Sequence, residues 1–185
     1  MHIASVERYM ETLETDIDVF IHCAGVNHPN VLGALTLEDF LLTQQINTTA
    51  FFQIISYLTP GFKKNGGFVL GVSSIYSVIS RVGRLAYATS KHALNGALKT
   101  VALELGQYNV LVNTLSPGFV DTDLTRQNNS FETIAMLREK IAVKRLALPE
   151  DIANIAYFLC SEKNRYITGQ NIVADGGYSV GGFES

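Results

Sequence analysis

Cysteine is scarce in this chain, and its two cysteines form no recognisable ligand or disulfide pattern. Cys23 and Cys160 lie far apart and belong to no CxxC or Cys/His spacing, which argues against a disulfide framework and a zinc site. We therefore expect no metal and a reducing, cytoplasmic setting. The first residues lack the pattern of a signal peptide, and no apolar run approaches the roughly 18 residues that span a bilayer, so no membrane association is expected.

Basic charge is also in short supply. The chain carries 14 Lys and Arg against 17 Asp and Glu, a net charge of −3, so no basic stripe is expected to follow a nucleic-acid backbone. Hydrophobic residues make up 47% of the 185 residues, enough to bury one core but not two. We predict a single domain over residues 1–185, with small molecules and further copies of the chain as its partners.

Short apolar runs alternate with segments of helical periodicity along the chain. The predicted strands are residues 18–25, 67–74, 110–115 and 170–174. The predicted helices are residues 5–14, a long one from 36 to just before Pro60, residues 94–105, residues 131–141, and one that starts at Pro149. Strands joined by such helices form a parallel sheet covered on both faces, so the predicted fold class is α/β.

Tyr87 and Lys91 stand four residues apart, at the start of the helix after the second strand. This spacing places a phenol and an ammonium on one helical face. A nearby ammonium is expected to lower the pKa of the tyrosine toward neutrality, where a phenol exchanges protons efficiently with an alcohol or carbonyl oxygen. Ser74, at the end of the second strand, is placed to polarise the same oxygen. A YxxxK pair alone is weak evidence, so its surroundings decide its meaning.

These surroundings resemble the common single-domain branch of the short-chain dehydrogenase/reductase family. Ser74, the run Tyr87-Ala-Thr-Ser-Lys91 and the stretch from Asn113 to Thr122 match that family in order and spacing. The strand end His22-Cys-Ala-Gly25 stands where the family has Asn-Asn-Ala-Gly, and residues 167–177 match its closing strand. The resemblance implies a Rossmann-like, doubly wound parallel sheet with three α/β/α layers.

The resemblance also implies an oxidoreductase that interconverts a secondary alcohol and a ketone with NAD or NADP. By this resemblance, Ser74 orients the substrate oxygen and Tyr87 transfers the proton. Lys91 also binds the nicotinamide ribose, and Asn47 belongs to a proton relay that reaches Lys91. The implied cofactor-binding residues are Cys23, Ala24, Gly25, Tyr87, Lys91, Pro117, Gly118, Val120 and Thr122. The family further implies a homodimer or homotetramer, packed through the helix of residues 94–105 and the helix that carries Asn47.

One family feature is absent from the sequence. No GxGxxG or TGxxxGxG turn occurs, although the family uses such a turn to hold the cofactor pyrophosphate at a helix N-terminus. We expect that an N-terminal βαβαβ half of roughly 60 residues is missing. The strand of residues 18–25 is then expected to have one unpaired edge. The preference for NAD or NADP cannot be read from this sequence, because the residues that would set it lie in the missing half. His22 and Cys23, which replace two asparagines, are interpreted as packed structural residues.

Two other functions would account for parts of this sequence. A non-catalytic homologue, acting as an interaction or regulatory subunit, would explain the missing half, but the intact Ser74, Tyr87, Lys91 and Asn47 argue against it. An epimerase or dehydratase of the extended branch would need a further substrate domain, for which no room follows the Asp-Gly-Gly at 175–177. Substrate shape is expected to depend on a loop over residues 121–130 and on the C-terminal tail, and the sequence does not identify the substrate.

Overall fold

The strands form one parallel sheet in chain order. The computed structural model describes residues 8, 10, 12–128 and 130–181. Its strands are β1 (Val19–His22), β2 (Gly67–Val72), β3 (Val110–Pro117) and β4 (Asn171–Ala174). All three pairings are parallel, as predicted, and each strand coincides with a predicted apolar run to within a few residues.

Helices join and flank the strands. They are α1 (Leu37–Gln44), α2 (Ala50–Asn65), α3 (Leu85–Leu105), α4 (Asp123–Asn128), α5 (Phe131–Lys140) and α6 (Pro149–Leu159). Residues 8 and 10 are also helical, but residues 12–14, the end of the helix predicted over 5–14, are not. The other residues of that predicted helix lie outside the described ones. The Thr36 hydroxyl caps α1 by accepting a hydrogen bond from the Asp39 amide at 3.1 Å. None of the described helices is both long enough and apolar enough to cross a lipid bilayer.

The two faces of the sheet are covered by different helices. Successive side chains of a strand point to opposite faces. Val69 of β2 joins a buried cluster with residues of α2 and α3, whereas its neighbour Leu70 packs with Leu115 of β3 and Leu159 of α6. The described chain therefore has the α/β/α layers of a Rossmann-like fold.

The apolar stripe of α3 faces this core rather than a second copy of the chain. Its members are no more than 5% exposed and lie in the cluster between α2, α3 and the sheet: Leu94, Leu98, Ala102 and Leu105. This stripe is therefore part of the core of the described chain. A homodimer or homotetramer stays an expectation from the family resemblance.

The long helix predicted from residue 36 to Pro60 differs from the structure in two ways. Its middle is a π-helical turn (Gln45–Thr49), in which the Ala50 amide donates to the Gln45 carbonyl five residues earlier. Beyond it, α2 continues through Pro60 to Asn65. Pro60 removes one backbone hydrogen bond, but Phe62 is completely buried in the core two residues later, and this burial stabilises the end of the helix.

Strand β1 lies at one edge of the described sheet, as predicted. It pairs only with β2. Val19 and Ile21 are 38% and 44% exposed, and they share a face with Leu70, which α6 covers. Another strand could pair with this edge, and a further helix could cover the apolar side chains beside it.

The loop predicted over residues 121–130 is mostly helical. The Thr122 hydroxyl accepts a hydrogen bond from the Thr125 amide at 3.2 Å and so caps α4. Asp121 forms an ion pair with Arg126 at 2.8 Å. The helix was not predicted because this segment is polar. Its polar residues provide the helix cap and the ion pair.

Candidate active site

The predicted catalytic side chains gather at the carboxyl ends of the strands. In a parallel sheet these ends meet along one edge, where ligands bind. Ser74 follows β2 and is buried; its hydroxyl accepts a hydrogen bond from the Tyr76 amide at 3.2 Å and starts the short 3₁₀ turn over 75–77. Tyr87 and Lys91 lie in the first two turns of α3, which follows that turn.

Lys91 is buried beside Tyr87. Its side chain is 3% exposed, and Nζ donates to the Val72 carbonyl at 2.8 Å and lies 5.5 Å from the centre of the Tyr87 ring. Burial lowers the pKa of Lys91 to about 8, against a smaller opposing effect of Cys23. The four-residue spacing thus brings the phenol of Tyr87 and the ammonium of Lys91 together, as predicted. Because its pKa is lowered, this ammonium loses its proton more easily than an exposed lysine does.

The predicted effect of Lys91 on Tyr87 is wrong. The pKa of Tyr87 is raised, chiefly because burial disfavours the phenolate. The groups that lower it are Ser74, through a hydrogen bond, and the charge of Arg84, while Lys91 is not among them. Tyr87 is consequently a neutral phenol at neutral pH.

Asn47 is completely buried in the π-helical turn, and its carboxamide is fully used. Its oxygen accepts from the Val26 amide at 2.8 Å, and its nitrogen donates to the Val26 carbonyl at 3.0 Å and to the Ser90 hydroxyl at 2.9 Å. Asn47 therefore joins the segment after β1 to the helix that carries Tyr87 and Lys91. A π-helical turn at such a position is typical of functional sites.

Residues 23–25 are exposed just beyond β1. A Cβ atom on Gly25 would lie 3.4 Å from Lys91 Nζ and 3.6 Å from the Asn47 side-chain oxygen, so Gly25 adjoins both predicted site residues. Cys23 is exposed, and its interpretation as a packed residue is wrong. Only His22 is packed, because it turns toward α2 with Phe20 whereas Cys23 follows after the strand has ended.

The segment after β3 lies at the same edge. The Gly118 amide donates to the Ala174 carbonyl at 2.9 Å, and a Cβ there would meet Asp175 at 2.7 Å, so glycine permits this close approach to the end of β4. Val120 forms a backbone bridge to Ala147. Thr122 caps α4, a structural task that the sequence did not indicate.

Two residues near Tyr87 were assigned no role from the sequence. Arg84 contributes charge at Tyr87, and its Nη1 atom is buried without a hydrogen-bond partner. Ser90 is buried, accepts from Asn47, and donates to the Tyr87 carbonyl at 2.7 Å. The three-residue spacing of each from Tyr87 was the signal that could have revealed them. Among the described residues, no cluster of His, Cys, Asp or Glu could hold a metal ion.

Asn47→Leu is expected to lower the free energy of unfolding by about 3 kcal/mol, because it leaves the Val26 backbone groups without partners inside the protein and removes the donor to the Ser90 hydroxyl. Urea unfolding at neutral pH measures this. Asn27→Leu, at an exposed position in the same segment, is the matched control and should change the free energy little. Equal effects of the two substitutions on the free energy of unfolding would contradict the conclusion that Asn47 joins the segment after β1 to α3.

A family model described as enoyl-(acyl carrier protein) reductase matches residues 2–179. The chain belongs to the short-chain dehydrogenase/reductase family. Similar family members include the 3-oxoacyl-(acyl-carrier-protein) reductase of Buchnera aphidicola subsp. Schizaphis graminum, 37% identical over 162 residues, and the 7alpha-hydroxysteroid dehydrogenase of Escherichia coli strain K12, 30% identical over 162 residues. The match covers 87% of this chain in both cases, but 66% and 63% of those relatives, so the chain spans just under two thirds of their length.

A solved family structure supports the same assignment. 4-Hydroxyisoleucine dehydrogenase complexed with NADH superposes with a TM-score of 0.84 at 27% identity, over 97% of this chain and 76% of that one. The predicted Rossmann-like α/β fold is thereby confirmed.

Proposed function

We propose that this chain contains the reaction centre of an NAD(P)-dependent oxidoreductase that reduces a ketone to a secondary alcohol. The observation that carries the proposal is the convergence of Ser74, Tyr87 and Lys91 at the carboxyl edge of the sheet, with Tyr87 held as a neutral phenol. A neutral phenol is the form that donates a proton to a carbonyl oxygen.

Each residue has a distinct task in this proposal. Ser74 orients and polarises the substrate oxygen, and Tyr87 donates its proton to that oxygen. Lys91 binds the nicotinamide ribose and supplies a proton toward Tyr87, for which its pKa of about 8 is well suited. Asn47 holds the helix of both residues in register and belongs to the relay that returns a proton to Lys91.

The residues present fit the nicotinamide half of the cofactor, which supplies the hydride when bound. Residues 23–25 are exposed at the end of β1, and Gly25 keeps the space beside Lys91 and Asn47 free of a side chain. Pro117, Gly118, Val120 and Thr122 would contact the nicotinamide. The 185 residues include no glycine-rich turn for the pyrophosphate. Solved family members are described with NADH and with NADP, which supports a nicotinamide cofactor without choosing between the two.

A cavity of about 290 Å³ beside Tyr76 is the proposed place for the larger substituent of the ketone. Tyr76 packs edge-on against Tyr87, with ring centres 6.2 Å apart, so the cavity adjoins the proton donor. Its lining is both apolar and polar: Tyr76, Ile79, Met136, Leu137 and Tyr178, with Ser80, Arg81, Thr133 and Lys140. The names of the relatives, a 3-oxoacyl reductase and a hydroxysteroid dehydrogenase, also point to oxo and hydroxy compounds.

The test is hydride transfer by the protein at its natural length, purified from its native source and weighed as an intact mass. NADH and NADPH are supplied separately with a 3-oxoacyl thioester, and the loss of nicotinamide absorbance is followed. We expect turnover with one of the two cofactors and a loss of about a hundredfold in Ser74→Ala, with Ser56→Ala at an exposed position of α2 as control. Absence of turnover with both cofactors across oxo substrates would favour the non-catalytic homologue.

A further inference from the structure

His22 is buried at the end of β1 and contacts the π-helical turn. Its side chain is 3% exposed and packs against the rings of Phe20 and Phe51. Its Nε2 atom lies 3.2 Å from the main-chain carbonyl oxygen of Asn47. A carbonyl can only accept a hydrogen bond, so Nε2 carries the hydrogen and donates it.

This contact and two further hydrogen bonds form a chain of contacts that ends at the catalytic helix. The chain passes through the covalent bonds of Asn47, from its main-chain carbonyl to its side-chain carboxamide. His22 donates to the Asn47 carbonyl, the Asn47 carboxamide donates to the Ser90 hydroxyl at 2.9 Å, and that hydroxyl donates to the Tyr87 carbonyl at 2.7 Å. His22, Asn47 and Ser90 are each no more than 3% exposed, so water does not compete for these bonds. The chain crosses from the sheet through the π-helical turn to the first turn of α3.

We infer that His22 is a positioning residue for the Tyr87–Lys91 pair, acting through Asn47 and Ser90. The inference rests on the function proposed above, since it assigns His22 a part in proton transfer by Tyr87. A π-helical turn departs from the regular hydrogen-bond pattern of an α-helix. The imidazole N–H of His22 gives the Asn47 carbonyl a partner outside the turn and so holds Asn47 at the position from which its carboxamide reaches Ser90.

The electrostatic surroundings keep His22 in the neutral form. Burial lowers its pKa, the hydrogen bond to Asn47 opposes that effect, and the charge of Lys91 lowers the pKa further. Of the elements packed against the ring, α2 presents Phe51 and α3 presents the charge of Lys91, while Phe20 and Cys23 are its neighbours on and beyond β1. The charge of Lys91 thus opposes the protonation of His22.

Three substitutions of His22 separate donation from packing. His22→Leu keeps an apolar side chain and removes the donor, whereas His22→Gln retains an N–H near the position of Nε2. We expect His22→Leu to lower kcat about tenfold with KM changed less than about twofold, and His22→Gln to recover most of the loss. His22→Asn carries an amide too short to reach Asn47 and should behave like His22→Leu. Phe20→Leu, on the same face of β1, controls for packing and should leave kcat near the wild-type value.

A double-mutant cycle tests whether His22 acts through Ser90. Ser90→Ala breaks the same chain of hydrogen bonds at its other end, so its effect on kcat should resemble that of His22→Leu, and the double variant should be little worse than either. Additive losses, an unchanged kcat in His22→Leu, or a His22→Gln variant as slow as His22→Leu would each overturn the inference.

A measurement without turnover separates this inference from the proposed function. Titration of the His22 imidazole by NMR should give a pKa below 6.5. Lys91→Met should raise that pKa by removing a nearby positive charge, whereas Lys99→Met, at an exposed position of the same helix, should not. An unchanged pKa in Lys91→Met would overturn the placement of His22 beside the reaction centre, whether or not the protein turns over a ketone.

Discussion

Tyr87→Phe is expected to lower kcat about a thousandfold in the natural-length protein while leaving nicotinamide binding nearly unchanged. The phenol is the proton donor in the proposed reduction, and phenylalanine preserves the ring that packs against Tyr76 at a centroid distance of 6.2 Å. Fold and cofactor contacts should therefore survive the loss of one hydroxyl. Steady-state kinetics with the cofactor and a 3-oxoacyl thioester, together with calorimetric titration of the cofactor, measure the two quantities separately.

Tyr157→Phe is the matched control for this prediction. Tyr157 lies on α6 and is 65% exposed, so its hydroxyl should make no difference to kcat. A kcat of Tyr87→Phe close to the wild-type value would contradict the proposal that Tyr87 is the proton donor. Loss of cofactor binding in the same variant would show that the hydroxyl serves binding instead.

Lys91→Met is expected to lower kcat about a hundredfold, because it removes both the ammonium proton and a contact for the ribose. In the wild-type protein the rate of ketone reduction should fall as the pH rises through about 8, where Lys91 loses its proton. Tyr87 remains protonated there because its pKa is raised. A pH profile of kcat that stays flat from 7 to about 9 would contradict a role for the Lys91 proton.

The same substitution should change how stability depends on pH. Below pH 8 both the folded and the unfolded states carry the Lys91 proton, and the folded state bears the full cost of a buried ammonium. Between about 8 and the ordinary value of 10.5 the folded state releases that proton first, so the unfolded state binds more protons and the free energy of unfolding rises with pH. Over this range the wild type should gain about 3 kcal/mol relative to Lys91→Met.

Urea unfolding of both proteins at pH 7 and at pH 10 measures this gain. The thiol of Cys160, whose pKa burial raises to about 11, acts in the opposite direction, but it is present in both proteins and cancels in the comparison. A difference between the proteins that is independent of pH would mean that Lys91 titrates at its ordinary value.

The α/β class, the strand positions and the spacing of the catalytic residues were all predictable from the sequence. Each depends on neighbours within a few residues: apolar runs give strands, and a four-residue spacing places Tyr87 and Lys91 on one helical face. Ser74 was predictable because it follows directly on an apolar run whose end lies at the ligand-binding edge of a parallel sheet.

The errors have a common physical origin. The continuation of α2 through Pro60 depends on the residues of α3 and the sheet against which Phe62 is buried. The exposure of Cys23 depends on where β1 ends, which its pairing with β2 decides. None of these partners is adjacent in the sequence, so local pattern alone could not predict them.

What the sequence determined by itself was which residues could act together, because helical and strand periodicity fix which side chains share a face. Only the tertiary structure decided how they act. It made Tyr87 a phenol with a raised pKa and Lys91 an ammonium with a lowered one, since both shifts come chiefly from burial. It also joined His22 to Asn47, 25 residues away, and through Ser90 to Tyr87, because those contacts exist only once the strand, the π-helical turn and α3 pack together.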